Sequence, residues 1–274
     1  MSGKLYVVGT PIGNLGDLSP RAAEILESVD FIAAEDTRVT VKLLNHLGLK
    51  KPMVSYHEHN KAARNDVIAD RLLSGETCAL VTDAGMPAIS DPGEDLVRYC
   101  REKSIPVESV PGPSAVITAL AISGMPSGRF CFEGFLSVNK PGRLEHLESV
   151  RNESGNMIFY EAPHKLAATL RDMLKVFGDR KIALVKELTK LHEDCELTTL
   201  TDAAVKYSEV QPKGEYVLII EGAEKKETDA KYSLDDAVRM AQELVDEGMS
   251  PAAAAKNAAA ATGLRRNEIY RGLI

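Results

Sequence analysis

The turn after the apolar run Cys78–Thr82 constrains this chain more than any other segment. Residues 83–93 read DAGMPAISDPG and hold two Asp, two Gly and two Pro, with no Lys or Arg. Pro lacks a backbone donor, and Gly and Asp favour turns, so the strand before this segment has to end. In an open α/β sheet, ligands bind outside the carboxyl ends of the strands. We therefore predict a binding site at this turn.

Two further turns repeat the arrangement. Residues 110–115, VPGPSA, end another apolar run, and residues 9–14, GTPIGN, follow the first predicted strand. The 9–14 turn lacks the Lys-Ser/Thr of a P-loop and the three-glycine dinucleotide fingerprint, so we do not expect it to cradle a phosphate. The three turns predict one crevice. There Asp83 would accept a hydrogen bond from an ammonium group, and backbone N–H groups would approach the ligand at Gly85, Ser114 and Ala115.

Alternating β-rich and helical stretches predict an α/β protein of two domains. The first domain, residues 1–136, is expected to hold a mostly parallel sheet with strands at 4–8, 31–34, 53–56, 78–82 and 107–110, and a last strand at 130–135. Residues 137–142 are interpreted as a linker. The second domain, residues 143–222, is expected to be a smaller mixed α/β unit with strands at 157–161, 182–188 and 215–221.

A small helical tail is predicted at residues 233–274, after a charged run at 223–231 that is typical of a flexible tether. Residues 250–274 contain one acidic residue, Glu268, and four basic residues: Lys256, Arg265, Arg266 and Arg271. This excess favours RNA binding through Arg265, Arg266 and Arg271. A packing or dimerisation bundle with ordinary surface charge is the alternative, and the sequence leaves both open.

Composition and charge narrow the class of protein. Of 274 residues, 44% are hydrophobic and 27% charged, as in an ordinary globular chain. A net charge of -7 argues against nonspecific coating of nucleic acid, so any RNA site must be local. The longest nearly apolar stretch, 115–125, is too short to span a bilayer, and no secretory signal is visible. We therefore expect a cytoplasmic protein.

The four cysteines lie far apart, at Cys78, Cys100, Cys131 and Cys195, and are interpreted as reduced thiols. A zinc site would need His57 and His59 together with ligands from elsewhere in the chain. We predict no metal site.

Three polar clusters, two of which follow predicted strands, supply the candidates for catalysis. They are Glu35, Asp36 and Arg38 after one strand, His57 after the next, and Lys186 and Glu187 in the second domain. A Lys of lowered pKa or a His could act as a base, and the sequence does not choose between them. In the simpler alternative, Arg38 pairs with Asp36 or Glu187, and the two histidines form hydrogen bonds in a packed loop.

Nine segments, in order, carry a resemblance to a known family. They are GTPIGN, AEDTR (34–38), HEHN (57–60), DAGMPAISDPG, PGPSA, FEGFL (132–136), FYEAPHKL (159–166), KELTKLHE (186–193) and GEYVLIIEG (214–222). Together they resemble the ribosomal RNA small subunit methyltransferase I family of the tetrapyrrole methylase superfamily. The tail pattern at 263–271 is similar to that family too.

The resemblance implies a tetrapyrrole methylase-like fold that holds S-adenosyl-L-methionine in a cleft between two α/β domains. It also implies a homodimer that methylates the ribose 2′-hydroxyl of a cytidine in the decoding region of 16S rRNA, in the small ribosomal subunit. The residues expected to bind the cofactor are Pro11, Asp83, Gly85, Met86, Ser114, Ala115, Glu161 and Ala162.

Two other functions compete with this one. The first is a methyltransferase of the same fold that acts on a tetrapyrrole, although the AEDTR and HEHN segments are unlike the corrinoid enzymes and the tail would then have no purpose. The second is a non-catalytic ribosome-binding module. The many polar residues around the expected cleft favour an enzyme.

Overall fold

A parallel sheet fills the first half of the chain in a computed structural model that describes residues 3–224 and 232–273. Its five strands are β1 Leu5–Val8, β2 Phe31–Ala34, β3 Met53–Ser55, β4 Cys78–Val81 and β5 Val107–Val110. They lie in the order β3-β2-β4-β1-β5, and every neighbouring pair is parallel. The predicted parallel N-terminal sheet is confirmed.

Five helices accompany these strands: α1 Pro20–Ser28, α2 Thr37–His46, α3 Lys61–Leu73, α4 Gly93–Glu102 and α5 Ala115–Ile122. One face of the sheet packs against Ile68 of α3 and Leu96 of α4, and the other against Leu26 of α1 and Leu43 of α2. Successive strand side chains point to opposite faces, so a sheet covered on both sides needs continuous apolar strands. The composition of β2 and β4, FIAA and CALV, meets this need.

Strand order places the three predicted turns side by side. The turns at 9–14, 83–93 and 111–114 follow β1, β4 and β5, which are consecutive in the sheet. Because parallel strands all end at one edge, the three turns meet there.

A second, mixed sheet follows the parallel sheet in the chain. Its strands are β6 Phe130–Phe135, β7 Asn156–Glu161, β8 Lys181–Lys186, β9 Asp194–Thr199 and β10 Tyr216–Ile220, in the order β6-β7-β10-β8-β9. Only β6 and β7 are parallel among these pairs. One face packs on α6 Lys140–Ser149, α7 Pro163–Phe177 and α8 Leu200–Glu209, and the other on α5. The predicted mixed α/β architecture is confirmed.

Three details differ from the sequence analysis. Strand β6, expected to end the first domain, pairs with β7 in the second sheet, where the Phe132 ring packs 4.9 Å from that of Tyr160. Helix α6 begins inside the expected linker, because the Asn139 side chain accepts from Gly142 N and caps it. Strand β9 was not predicted, since it is a half-exposed edge strand of polar composition.

The chain divides into two compact units, Met1–Gly222 and Ala223–Ile274. The domain limits 1–136 and 143–222 lie inside the first unit and stay a prediction. Residues 225–231, most of the expected tether, lie outside the described residues.

The second unit consists of α9 Leu234–Asp246, α10 Pro251–Thr262 and α11 Arg266–Gly272, which confirms the helical tail. Its core consists of five alanines and one isoleucine: Ala237, Ala241, Ala254, Ala255, Ala258 and Ile269. Small side chains let the helices approach closely, and Gly263, at φ 75°, ends α10 in the left-handed conformation. No helix within residues 3–224 and 232–273 has the length and apolar character needed to cross a membrane.

Candidate active site

Backbone contacts join the three turns directly. Thr10 N donates to Gly85 O at 2.9 Å, and Gly85 N donates to Thr10 O at 3.1 Å. On the other side, Gly9 and Gly112 pack backbone against backbone, and a Cβ built on Gly112 would lie 2.8 Å from the Gly9 carbonyl carbon. The turns therefore form one continuous wall, and glycine is required where they touch.

The 83–93 turn is held in its shape by Asp91. Its Oδ1 accepts from the backbone N–H groups of Ala88 at 2.9 Å and Gly93 at 2.7 Å. Ala88 and Ser90 both have φ 67°, an uncommon conformation for residues with a Cβ. Burial raises the pKa of the Asp91 carboxyl, and the two backbone donors oppose that rise.

Two carboxylates stand at the ends of neighbouring strands. Glu35, after β2, accepts from the Thr82 hydroxyl at 2.5 Å, and Asp83, after β4, accepts from Asp36 N at 3.1 Å. Burial raises the pKa of Asp83, and the negative charge of Glu35 raises it further. An extra positive charge beside this pair would be stabilised.

The second sheet supplies the opposite wall. Glu161, at the end of β7, is 2% exposed and accepts from Thr169 Oγ1 at 2.5 Å and Lys165 Nζ at 3.0 Å. Burial acts to raise the pKa of Glu187. Hydrogen bonds from Lys190 Nζ at 3.1 Å and Glu215 N at 3.2 Å outweigh that effect, so the pKa is lowered.

Lys190 also reaches Glu215, at 3.2 Å. Burial lowers the pKa of Lys190, but its two carboxylate partners outweigh that effect and raise it. Its side chain packs on the first turn, since a Cβ on Gly13 would lie 2.7 Å from Lys190 Cγ. Lys190 is therefore a fixed positive charge that joins the two walls.

Between the walls lies a cleft of about 500 Å³. Two of the six predicted catalytic residues line it, Glu35 and Glu187, and so do seven of the eight predicted cofactor residues: Asp83, Gly85, Met86, Ser114, Ala115, Glu161 and Ala162. Five predicted residues are outside this lining: Pro11, Asp36, Arg38, His57 and Lys186. Ile12 takes the place of Pro11.

Arg38 pairs with its neighbour Asp36, at 2.6 Å, and Glu187 is not its partner. Asp36 also accepts from Arg38 N and so caps α2. The hydrogen bond from the Arg38 side chain lowers the pKa of Asp36 to about 2. This is the Arg38–Asp36 pairing of the simpler alternative, and the role of both residues stays a prediction.

His57 is held by Asn60. Asn60 Oδ1 accepts from His57 N at 2.9 Å, which turns the amide nitrogen toward His57 Nε2, at 3.1 Å. His57 Nδ1 is buried and has no hydrogen-bond partner within the described residues. The His57 ring is therefore packed against Asn60, outside the residues that line the cleft.

Four aromatic or acidic lining residues on the side of the second sheet were missed as candidates: Phe135, Tyr160, Glu215 and Tyr216. Each lies inside one of the nine resembling segments, at 132–136, 159–166 or 214–222. The signal was present, but nothing in strand periodicity shows which strand ends face a cleft.

In the second unit, the three predicted RNA-binding arginines, Arg265, Arg266 and Arg271, are exposed around α11. Arg265 lies 3.7 Å from Glu268, an exposed pair. Within residues 232–273, helix α9 carries four of the six acidic residues, so charge is segregated in this part of the unit.

Comparisons with known proteins agree with this architecture. Residues 4–204 match the family described as Tetrapyrrole (Corrin/Porphyrin) Methylases, and residues 233–273 match the RsmI C-terminal HTH domain. A uroporphyrin-III C-methyltransferase structure from Thermus thermophilus, complexed with S-adenyl homocysteine, has a TM-score of 0.58 and 15% identity. It covers 80% of this chain and 97% of its own, and at that identity it shows the fold alone. Fold, cleft and family match define a protein of the tetrapyrrole methylase class.

Relatives narrow the class to one family. A protein of Xylella fastidiosa (strain Temecula1) is 47% identical over 98% of both chains, and one of Synechocystis sp. is 44% identical over 98% of this chain and 96% of its own. Both are named ribosomal RNA small subunit methyltransferase I. This chain belongs to the ribosomal RNA small subunit methyltransferase I family.

A shorter relative from Thermotoga maritima, of the same name, is 45% identical over 222 residues. The match covers 81% of this chain and all of the relative. That relative is about as long as the first unit described here.

Proposed function

We propose that this protein transfers a methyl group from S-adenosylmethionine to the ribose 2′-hydroxyl of a cytidine in the decoding region of 16S rRNA. The observation that carries the proposal is the meeting of three glycine-containing turns at one cleft, in a chain of this family. Such a cleft offers backbone groups and apolar walls to a small molecule.

The residues that line the cleft suit S-adenosylmethionine as the methyl donor. The Asp83 carboxylate suits an ammonium group, and the apolar side chains of Ile12, Met86 and Val217 suit an adenine ring. Gly85, at φ 88°, exposes its backbone on the same wall. S-adenosylmethionine supplies a methyl group already activated by the adjacent sulfonium charge. The protein has to align a ribose oxygen with that methyl and receive a proton.

The contacts favour Glu35 as the proton acceptor. Two carboxylates raise the pKa of Lys190, and His57 lies outside the residues that line the cleft, with its ring against Asn60. Glu35 lines the cleft, and Thr82 is the one side chain that donates to it within the described part of the chain. In the step we propose, the oxygen–methyl bond forms, the sulfur–methyl bond breaks, and the hydroxyl proton passes to a Glu35 oxygen.

We propose that the arginines around α11 contact RNA. Arg265, Arg266 and Arg271 lie in a region matched to a domain described as HTH, and they are exposed on the basic part of a charge-segregated unit. Phosphate contacts from such a surface add affinity without sequence preference. The enzyme would act in the cytoplasm, where small ribosomal subunits are its substrate.

We propose a homodimer through α5 and β9. Ile117 and Leu197 are each 55% exposed, and Ile122 is 44% exposed. Cys195, on the same face of β9 as Leu197, contacts Ile122 O through its Sγ at 3.6 Å. Strand β9 is an edge of its sheet, and unpaired edge backbone beside exposed apolar side chains is typical of an interaction surface.

Methyl transfer can be tested with purified protein, labelled S-adenosylmethionine, and either small ribosomal subunits or a tetrapyrrole mixture. Modified nucleotides are then mapped by mass spectrometry. We expect label on the ribose of one cytidine of 16S rRNA. Label on a base or only on a tetrapyrrole, or donor binding with no transfer, would contradict the proposal.

A further inference from the structure

A second hollow, of about 340 Å³, borders the cleft, and Glu187 and Tyr216 line both cavities. Most of the charge around the second hollow is basic: Lys186, Lys206, Lys213 and His192 line it. Glu187 is the one acidic residue in this lining, and its carboxylate is bound to Lys190. The chain as a whole carries a net charge of -7, so this basic lining does not reflect the average surface.

The lysines of the hollow are available to a ligand. Lys186 pairs with Asp194 at 3.2 Å and Lys206 with Glu196 at 2.6 Å, and in each pair one side chain is exposed and the other half-buried. Ion pairs that water still reaches contribute little to stability and can exchange for other partners. Lys213 is exposed and forms no ion pair within residues 3–224 and 232–273.

We infer that this lysine hollow (Lys186, Lys206 and Lys213) binds a backbone phosphate of the RNA strand whose ribose is methylated. The inference rests on the proposed function. A ribose carries its 2′-hydroxyl beside the 3′-phosphate, so a phosphate site has to adjoin the cleft that holds the reacting oxygen. The shared wall of Glu187 and Tyr216 gives the hollow that position. Lys186 therefore acts in RNA binding, outside the chemical step.

The test replaces the three lysines by glutamine in the full-length chain, as Lys186→Gln, Lys206→Gln and Lys213→Gln together. A matched control carries Lys42→Gln, Lys103→Gln and Lys175→Gln, which remove the same charge from exposed positions outside both cavities. Binding of a fluorescent single-stranded RNA of the decoding region is measured by anisotropy across a salt series. RNA KM, kcat and donor affinity are measured in parallel.

For the triple variant we expect RNA affinity to fall roughly 10-fold beyond the control, and the salt slope of log K to fall by about 0.7, the value for one phosphate contact on a single strand. RNA KM should rise by a similar factor, while kcat and donor affinity stay unchanged. Unrelated RNA strands should lose the same factor, because phosphate contacts carry no sequence information. Replacing chloride by inorganic phosphate at equal ionic strength should displace more RNA from the parent than from the triple variant, because free phosphate competes for the same lysines.

Affinity and salt slope equal to those of the control would overturn the inference, as would a fall in kcat at unchanged KM. Equal displacement of RNA by inorganic phosphate from the parent and from the triple variant would also contradict it. The anisotropy measurement does not depend on methyl transfer. Failure of the proposed reaction would therefore appear separately, as an unmodified RNA in the parent assay.

Discussion

Thr10 and Gly85 exchange a pair of backbone hydrogen bonds, at 2.9 and 3.1 Å, across 75 residues of sequence. This bridge joins the turn after β1 to the turn after β4 outside either strand. The Thr10 hydroxyl adds a hydrogen bond to Thr82 O at 3.2 Å. The wall of the cleft is thus held by main-chain contacts, which side-chain substitutions elsewhere leave in place, whereas substitutions at the contacting glycines do not.

Replacing Gly112 by Ala should separate two of the three turns. The added Cβ would lie 2.8 Å from the Gly9 backbone, a contact relieved only by moving one turn, at a cost of about 1–3 kcal/mol. We expect at least about 10-fold weaker donor binding in calorimetric titration. Gly128→Ala, where a Cβ meets no atom within 4 Å, is the control and should bind like the parent. Equal binding by both variants would show that the donor does not need this wall.

Replacing Glu35 by Gln should reduce kcat by about 10²-fold, the usual scale for loss of general acid–base assistance. Gln keeps an acceptor for the Thr82 hydroxyl, and Asp83 stays beside the donor, so donor affinity should fall less than kcat. Glu58→Gln removes an exposed carboxylate, paired with Lys61 outside the cleft lining, and should keep full activity. An unchanged kcat for Glu35→Gln would assign the proton to another group.

The stability of the 83–93 turn should depend on a hydrogen-bond acceptor at residue 91 more than on the charge of that residue. Asp91→Ala leaves the N–H groups of Ala88 and Gly93 without their acceptor, which should cost about 1–3 kcal/mol in urea unfolding. Asp91→Asn keeps an oxygen in place and should be close to the parent. A large loss for the Asn variant would mean that the charge itself holds the turn.

The Asp91 carboxyl also predicts a pH dependence. Its folded pKa is raised, mainly by burial, so the folded state binds more protons than the unfolded state and stability falls as pH rises through the raised pKa. Asp91→Asn lacks this titration. Its stability relative to the parent should therefore improve as pH increases from below 3.8 through that pKa. A parallel pH profile for the two proteins would contradict this.

A chain ending at residue 222 should keep donor binding and lose RNA affinity. The first unit contains the whole cleft, and the Thermotoga relative is about as long. Calorimetry with the donor and anisotropy with RNA separate the two effects. If the shortened chain becomes monomeric at unchanged RNA affinity, the tail is a dimerisation element instead.

The double substitution Ile117→Lys and Leu197→Lys should dissociate the proposed dimer. Each position is 55% exposed, so the substitutions should not disturb folding, but burying two charges in an interface is costly. Sedimentation velocity should show a monomer. Val205→Lys on α8, at a position 60% exposed, is the control and should sediment like the parent. A dimer that persists in the double variant would place the interface elsewhere.

Local sequence determined much of this protein. Continuous apolar strands such as FIAA and CALV, the Ser19-Pro20 start of α1, and glycines at helix ends act within a few residues, so the parallel sheet and most helices followed from them. Two Asp, two Gly and two Pro in one turn marked the cleft wall. Nine short segments, read together, pointed to the family.

Tertiary structure decided what depends on partners far apart in the chain. Sequence did not place β6 in the second sheet or find β9, because an edge strand is defined by its neighbour more than by its own pattern. It also offered Lys186, His57 and Arg38 as catalytic candidates on equal terms with Glu35. Only packing showed that Asn60 contacts the His57 ring, that Asp36 forms an ion pair with Arg38, and that Lys186 lines the lysine hollow. The sequence determines which chemical groups the side chains carry. Contacts with residues distant in sequence determine where those side chains point.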